Sequence, residues 1–260
     1  MSRAFRIIFP VCLCIPLTGA SPALATGTPR QLTFCVEDRD VRPWITHDGK
    51  GLNLELLNRV AARLGIYFNY RQIAWKRCLE ELKNNRVDGA VGASFKAERL
   101  EYGVYPGGGQ VDSRKRLNMD RYMLVQYKGA GLAWDGEKLT GLHGPVGVQL
   151  GYSAADVLRS KGVAVDDGSP GAAELMRKLY ARRILAASLL EGELRSVMTE
   201  NPHYGAVLEI LTLPLVEKPY YLLLSHHLVE SWPGLAADIW QGIEQVRESR
   251  DYQMLERQQQ

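Results

Sequence analysis

The sequence has 260 residues, 46% of them hydrophobic and 23% charged, a composition that excludes a disordered or collagen-like chain. With 32 Lys and Arg against 29 Asp and Glu, the net charge is +3, too balanced for a nucleic-acid-binding protein that neutralises phosphates. Four cysteines are too few for a disulfide scaffold. The length fits one large domain or two of about 100–150 residues.

Residues 1–25 have the three parts of a secretory signal peptide. Arg3 and Arg6 precede an apolar run from Ile7 to Leu17, and Ala23-Leu24-Ala25 supplies the small–x–small cleavage pattern. The run is shorter than the ~20 residues that a membrane-spanning helix needs; a buried first helix is the alternative. The pattern predicts an exported, soluble product.

Two of the four cysteines, Cys12 and Cys14, lie in this segment, which leaves Cys35 and Cys78 in the mature chain. In an oxidising compartment this pair suggests a single disulfide, with two free buried thiols as the alternative. Neither cysteine has a His or a second Cys at metal-ligand spacing. The sequence therefore predicts no metal site and no cofactor.

Predicted strands and helices alternate along the first half of the mature chain. The predicted elements are a strand at Gln31–Val36, a helix from Asn53 to Leu64 that Gly65 ends, a strand at Tyr67–Tyr70, a helix on Trp75, Cys78, Leu79 and Leu82, and a strand at Val87–Val91. A β-α-β-α-β order implies a parallel sheet with right-handed crossovers.

A second α/β unit follows. Its predicted elements are strands at Gly144–Gln149, Val163–Val165 and Ile184–Ser188, helices at Ala154–Lys161 and Ala172–Ala181, and a final long helix with Leu235, Ile239, Ile243 and Val246 on one face. Two similar units in tandem predict two lobes.

Candidate binding residues follow the predicted strands, because ligands of open α/β sheets bind beyond the strands' carboxyl ends. Ser94 and Arg99 follow the third strand; a guanidinium can hold a carboxylate in a bidentate pair, and a solvated surface charge is the alternative. Gly151-Tyr152-Ser153 opens a helix whose free N–H groups favour anions. Ordinary capping by Ser153 and Asp156 is the alternative there.

Two tryptophans, Trp44 and Trp75, follow the first two strands and either stack on a ligand or pack the core. His226 and His227 are expected to point apart on a strand and to be structural or exposed. The sequence has no G-x-S-x-G, H-E-x-x-H, Walker or dinucleotide-binding pattern. The residues alone favour a binding protein over an enzyme.

From Leu32 to Tyr105 the sequence resembles the family 3 periplasmic solute-binding proteins of amino-acid-type ABC transporters. The matching stretches are Asp38 to Pro43-Trp44, Gly51 to Leu56, Trp75 with Leu79, Leu82 and Val87-Asp88, then Ser94 and Ala97-Glu98-Arg99, and later Val146 to Ser153 and the last helix. The run Trp75-Lys76-Arg77-Cys78-Leu79, paired with Cys35, resembles a subgroup of this family.

The resemblance implies an α/β, two-lobed periplasmic-binding-protein fold of type II, each lobe a mainly parallel sheet flanked by helices. Lobe 1 would comprise residues 26–121 and 222–260, and lobe 2 the inserted residues 122–221. Crossover strands near Asp120–Tyr122 and Pro219–Tyr221 would join the lobes, which close on a ligand by a hinge movement. The resemblance also implies a periplasmic monomer that binds a small molecule and serves an inner-membrane ABC transporter permease.

Position in the family pattern assigns the binding roles. Arg99 would take a ligand carboxylate with help from Ser94, and Tyr152-Ser153 would complete the clamp on closure. Trp75 would place its ring against the ligand. Asp38 would lie at the pocket edge.

Three positions depart from the family pattern. Val41 replaces the tyrosine of lobe 1, and Lys96 stands at the threonine of the arginine turn or that threonine is absent. The acid that binds an α-ammonium group falls at Leu190, with Glu191 adjacent. A one-residue shift would restore the acid, whereas a true loss would argue against an ordinary α-amino acid ligand.

The predicted function is capture of a small anionic or zwitterionic metabolite. The alternative is an enzyme on the same scaffold that resembles the periplasmic cyclohexadienyl dehydratases, which eliminate water from prephenate-like acids. Such an enzyme needs a proton donor over the ring; Glu191, Glu193 or Asp38 would serve.

Overall fold

The computed structural model describes residues 27–259, and the predicted signal peptide lies outside them. The first half folds as predicted in order and type. Its elements are β1 (Gln31–Val36), α1 (Leu52–Leu64), β2 (Tyr67–Gln72), α2 (Trp75–Lys83), β3 (Gly89–Ser94) and the 3-10 turns Ala97–Glu101 and Ser113–Lys115. Gly65 ends α1 as predicted, in the left-handed conformation (φ 67°) that a residue without a Cβ adopts readily.

The second half repeats the alternation with additional short elements. These are β4 (Asn118–Tyr127), β5 (Ala133–Trp134), β6 (Leu139–Thr140), β7 (Val146–Gln149), α3 (Ala154–Ser160), β8 (Val165–Ser169), α4 (Ala172–Tyr180), β9 (Ala186–Leu190), α5 (Glu191–Glu200), α6 (His203–Val207), β10 (Leu208–Ile210), β11 (Val216–Leu224), α7 (His226–Ser231), α8 (Pro233–Arg247) and α9 (Arg250–Gln259).

The main sheet runs in the order β2-β1-β3-β11-β4-β9-β7-β8, with β10 beside β4. β1 pairs in parallel with β2 and β3, and β7 pairs in parallel with β8 and β9. Between these groups, β4 and β11 pair antiparallel with each other, from Val216 opposite Tyr122 to Tyr220 opposite Asn118. The fold is therefore the predicted two-lobed α/β architecture, with β4 and β11 crossing between lobes.

Separate apolar cores lie on the two sides of this crossover. The buried clusters of lobe 1 draw on residues 32–117 and 221–252, and those of lobe 2 on residues 122–220. In lobe 1, α8 packs on α1, where Gly242 leaves room for Val60. The lobe boundaries at residues 121 and 222 remain a prediction, which this separation of cores supports.

Several sequence predictions need correction. β3, β7, β8 and β9 each begin two residues after the start of the predicted strand. β3 and β8 also extend beyond the predicted end into small or polar residues that periodicity does not reveal, and β9 extends to Leu190. His226 and His227 lie in α7 rather than on a strand, because Ser225 Oγ caps a helix there by accepting the N–H of Leu228 at 3.1 Å. The helix predicted to be last, α8, is followed by α9. Between residues 27 and 259, no helix combines the length and apolarity needed to cross a membrane.

Candidate functional site

A cavity of about 40 Å³ lies between the lobes, at the carboxyl ends of β1, β3, β7 and β9. The topology predicts this position, since parallel strands present their carboxyl ends at one edge of the sheet. The lining residues are Glu37, Val41, Trp44, Ile45, Asn53, Trp75, Val91, Gly92, Ser94, Arg99, Asn118, Asp120, Tyr122, Tyr152, Ser153, Leu190 and Tyr220.

Arg99 is the buried cation of this cavity, with 3% of the residue exposed. Its Nη1 donates to the Ser94 carbonyl at 2.8 Å, and its Nη2 donates to the Gly151 carbonyl of the other lobe at 3.0 Å. Its Cζ lies 5.4 Å from the centroid of the Trp75 ring. Within residues 27–259 the guanidinium forms no ion pair with a carboxylate. The geometry therefore presents a desolvated cation to the cavity.

Three further contacts join the lobes across the cleft. Ser94 Oγ donates to Ser153 Oγ at 3.0 Å, and Lys96 Nζ lies 2.8 Å from Asp156 Oδ2. At the rim, Arg39 Nη1 lies 3.4 Å from Glu174 Oε2. Together with Arg99, these contacts hold the lobes closed. They also correct the predicted capping pair, because the Ser153 side chain makes no capping hydrogen bond and Asp156 faces Lys96 instead.

The disulfide fixes the position of Trp75 in the cavity wall. Trp75 is the first residue of α2, and Cys78, one turn later, is bonded to Cys35 in β1, with the two Cα atoms 5.6 Å apart. The predicted disulfide is therefore present. It ties the helix that carries the aromatic ring to the strand that leads into Glu37.

Two buried carboxyl groups, those of Asp120 and Glu37, also line the cavity. Asp120 Oδ2 accepts the indole N–H of Trp44 at 2.8 Å, and its Oδ1 accepts the backbone N–H of Arg121 at 2.8 Å. Burial nevertheless raises the pKa of Asp120 to about 7, since desolvation outweighs these two bonds and nearby Glu191 adds repulsion.

Glu37 and a third buried acid, Glu193, have raised pKa values as well. Burial raises the pKa of Glu37 to about 8, and its hydrogen bond with Asp38 and the charge of Glu193 act in the same direction. Burial also raises the pKa of Glu193 to about 8, although Gln149 Nε2 and the Tyr152 hydroxyl donate to its Oε1 at 2.9 and 3.3 Å. The sequence prediction gave no site role to Asp120 or Glu37, and it named Glu193 only as a candidate proton donor of the alternative enzyme.

Six of the eight predicted ligand-binding residues line the cavity: Arg99, Ser94, Trp75, Tyr152, Ser153 and Trp44. Two do not. Asp38 lies beside Arg39, their side chains 3.8 Å apart and both well exposed, while its neighbour Glu37 faces the cavity. Glu191 bonds to Arg121 and to Arg195 outside the lining, whereas Leu190 lines it.

The model of the bacterial extracellular solute-binding proteins, family 3, matches residues 34–258. Among solved structures, the GluR0 ligand-binding core from Nostoc punctiforme in complex with L-glutamate is similar at 18% identity and a TM-score of 0.66, covering 88% of this chain and 98% of that one. A search of curated proteins found no match to the sequence.

Two further structures are similar. An ancestral arginine-binding protein bound to glutamine shares 19% identity at a TM-score of 0.69, covering 90% of this chain and 99% of the other. A histidine kinase sensor domain with similarity to periplasmic binding proteins shares 19% identity at a TM-score of 0.70, covering 89% of this chain and 96% of the other. At these identities the structural likeness shows the fold alone.

Proposed function

The chain belongs to family 3 of the bacterial extracellular solute-binding proteins, and from that membership we propose that it captures a small carboxylate-bearing, amino-acid-like solute between its lobes. The ligand is anionic or zwitterionic. The chain delivers it in the periplasm to an ABC transporter permease in the inner membrane, after export through the signal peptide, and acts as a monomer. Residues 26–121 and 222–260 form one lobe and residues 122–221 the other.

Arg99 is the observation that carries this proposal. A buried cation without a carboxylate partner is costly, and its planar group suits a ligand carboxylate better than a carbonyl oxygen. Ser94 and Ser153 place hydroxyl groups next to Arg99, and Tyr152 lines the same cavity. The ring of Trp75 stacks against the ligand. Since Arg99 already bridges the lobes, a carboxylate bound there favours the closed form.

A thermal-shift screen of residues 26–260 tests the proposal against amino acids, small carboxylates, amines and prephenate. A ligand at 100 times its Kd stabilises the folded protein by about 2.7 kcal/mol. We expect hits confined to compounds that carry a carboxylate. Stabilisation by amines alone would show that Arg99 does not bind the ligand. If no compound in the screen raises the unfolding temperature, the result would contradict capture of a carboxylate-bearing solute.

A dehydratase-like enzyme on this scaffold is the second candidate, and the raised pKa of Glu37 favours it. A carboxyl with a pKa of about 8 keeps its proton at neutral pH and is able to donate it to a leaving group. Incubation with prephenate distinguishes the candidates. If prephenate is converted to a product and the conversion depends on Glu37, the protein is an enzyme. If prephenate remains unchanged, whether or not it binds, the result supports capture alone.

A further inference from the structure

One corner of the cavity, formed by Asn53, Asn118 and Asp120, has three buried side chains whose oxygens accept hydrogen bonds. Asn118 and Asp120 are two residues apart on β4, so their side chains lie on the same, buried face, while Met119 and Arg121 between and after them are exposed. Asn53, the second residue of α1, lines the cavity as well, and its backbone N–H donates to the carbonyl of Trp44, whose indole donates to Asp120. Strand periodicity thus places an amide and a carboxylate side by side.

The two amides in this corner are incompletely satisfied. Asn53 is 1% exposed and Asn118 is 2% exposed, and within residues 27–259 neither Oδ1 atom has a hydrogen-bond partner. A buried acceptor without a donor is costly. Because both side chains line the cavity, the group that fits here is one that donates several hydrogen bonds.

Asp120 adds charge to the same corner. Each of its oxygens accepts one neutral N–H, from Trp44 and from Arg121, and across the described residues no Lys or Arg nitrogen lies within ion-pair distance of it. An oxygen atom accepts more than one hydrogen bond. A buried carboxylate is stable when a cation accompanies it. No group of three metal-ligating side chains occurs in residues 27–259.

We propose that Asp120, Asn118 and Asn53 bind a primary ammonium group of the ligand while Arg99 binds its carboxylate. This inference rests on the proposed function and narrows its ligand class to small amino acids. An ammonium group supplies three N–H donors and a positive charge, which match two amide oxygens and one carboxylate. In the family pattern, an acidic residue at the position of Leu190 would bind this ammonium group; here the three residues of the corner would bind it instead.

Calorimetry with matched ligand pairs tests the assignment. Each pair is an amino acid and the carboxylic acid that lacks only its amine, such as glutamate with glutarate and alanine with propionate. The wild-type protein is expected to bind the amino acid of the best pair at least about tenfold more tightly, since a hydrogen bond to a charged group contributes about 1.5–3 kcal/mol. Asp120→Asn is expected to remove most of that preference and to leave binding of the deaminated acid within about threefold.

The matched control is Asp88→Asn. Asp88 is a half-buried aspartate whose pKa is also raised by burial, but it accepts the Thr33 N–H at the opposite, amino-terminal end of β3. This variant should keep the preference for the amine. Asn118→Ala, which changes no charge, provides a second test and should reduce the preference several-fold even if Asp120→Asn fails to fold.

Three outcomes are distinguishable. Equal binding of both members of every pair by the wild-type protein overturns the ammonium corner and leaves the carboxylate-binding function standing. A preference that survives in both Asp120→Asn and Asn118→Ala places the ammonium site elsewhere. Binding of no carboxylate of any kind overturns the proposed function itself.

Discussion

Arg99→Lys keeps the positive charge of the cavity and removes the planar group that carries it. The guanidinium donates to the Ser94 carbonyl at 2.8 Å and to the Gly151 carbonyl at 3.0 Å, and it has five N–H donors in fixed directions. A lysine ammonium has one nitrogen and three donors. It therefore cannot hold both carbonyl oxygens, which lie in different lobes, and a bidentate carboxylate as well.

The magnitude follows from the bonds lost. Losing one charge-assisted hydrogen bond to the ligand costs about 1.5–3 kcal/mol, which corresponds to about a 10- to 100-fold rise in Kd. The Gly151 carbonyl also loses its donor. If that carbonyl stays buried, the closed form loses about 1–3 kcal/mol more, so the two losses together come to about 2.5–6 kcal/mol, near or above the upper end of the first range.

Isothermal titration with the best carboxylate ligand measures the change. Arg247→Lys is the control, because Arg247 is also buried, at 6% exposure, and donates from Nη2 to the Arg114 carbonyl at 2.8 Å, away from the cavity. That variant should lose stability and keep its affinity. An Arg99→Lys protein that binds as tightly as the wild type would refute the carboxylate assignment, and so would equal weakening in the two variants.

Two further predictions concern stability. Burial raises the pKa of Asp120 to about 7 and of Glu37 and Glu193 to about 8, whereas the same carboxyls in the unfolded chain ionise near pH 4. Between these pH values the folded protein binds more protons than the unfolded chain, so these groups lower its free energy of unfolding as pH rises from about 4 to 8. Measured by urea unfolding, the free energy of unfolding of Glu37→Gln and of Asp120→Asn should fall less steeply with pH than that of the wild type. An unchanged pH dependence in these variants would contradict the burial of the carboxyls. Replacing Cys35 and Cys78 together by serine opens a link across 43 residues and should reduce the free energy of unfolding by about 4 kcal/mol in the chain-entropy model; a loss below about 1 kcal/mol would show that the disulfide does not restrain the unfolded chain as that model assumes.

The order of elements could be predicted because each has a strong local signal. The helical spacing of apolar residues defines α1 and α8, and Gly65 marks the end of α1. The ends of β3 and β8 could not be predicted, since the small or polar residues there become strand only by pairing with a neighbour. The helix that contains His226 was not predicted either, because it depends on a capping hydrogen bond to the side chain of Ser225.

The cation of the site could be predicted and the acids could not. Arg99 lies in the 3-10 turn that follows β3, five residues beyond the strand's carboxyl end, so topology brings it to the edge of the sheet where the cavity lies. Glu37 and Asp38 are adjacent just after β1. Which of the two faces the cavity depends on the backbone conformation beyond the end of the strand, and the sequence does not reveal that conformation. Asp120 lies in a crossover strand, and its place in the cavity results from pairing with β11 more than 90 residues later.

The charges around the cavity link ligand binding to closure. The cavity between the lobes has a buried guanidinium, Arg99, and the buried carboxyls of Asp120 and Glu37 in its wall. Without a ligand, desolvation favours the protonated form of the carboxyls, which removes the counter-charge that the guanidinium would gain from them. On the proposed assignment, a zwitterion brings a carboxylate to Arg99 and an ammonium group to Asp120, whose carboxyl then ionises beside it. A ligand that carries only the carboxylate leaves Asp120 protonated and the two amide oxygens without donors, so on this proposal it binds more weakly than the zwitterion does.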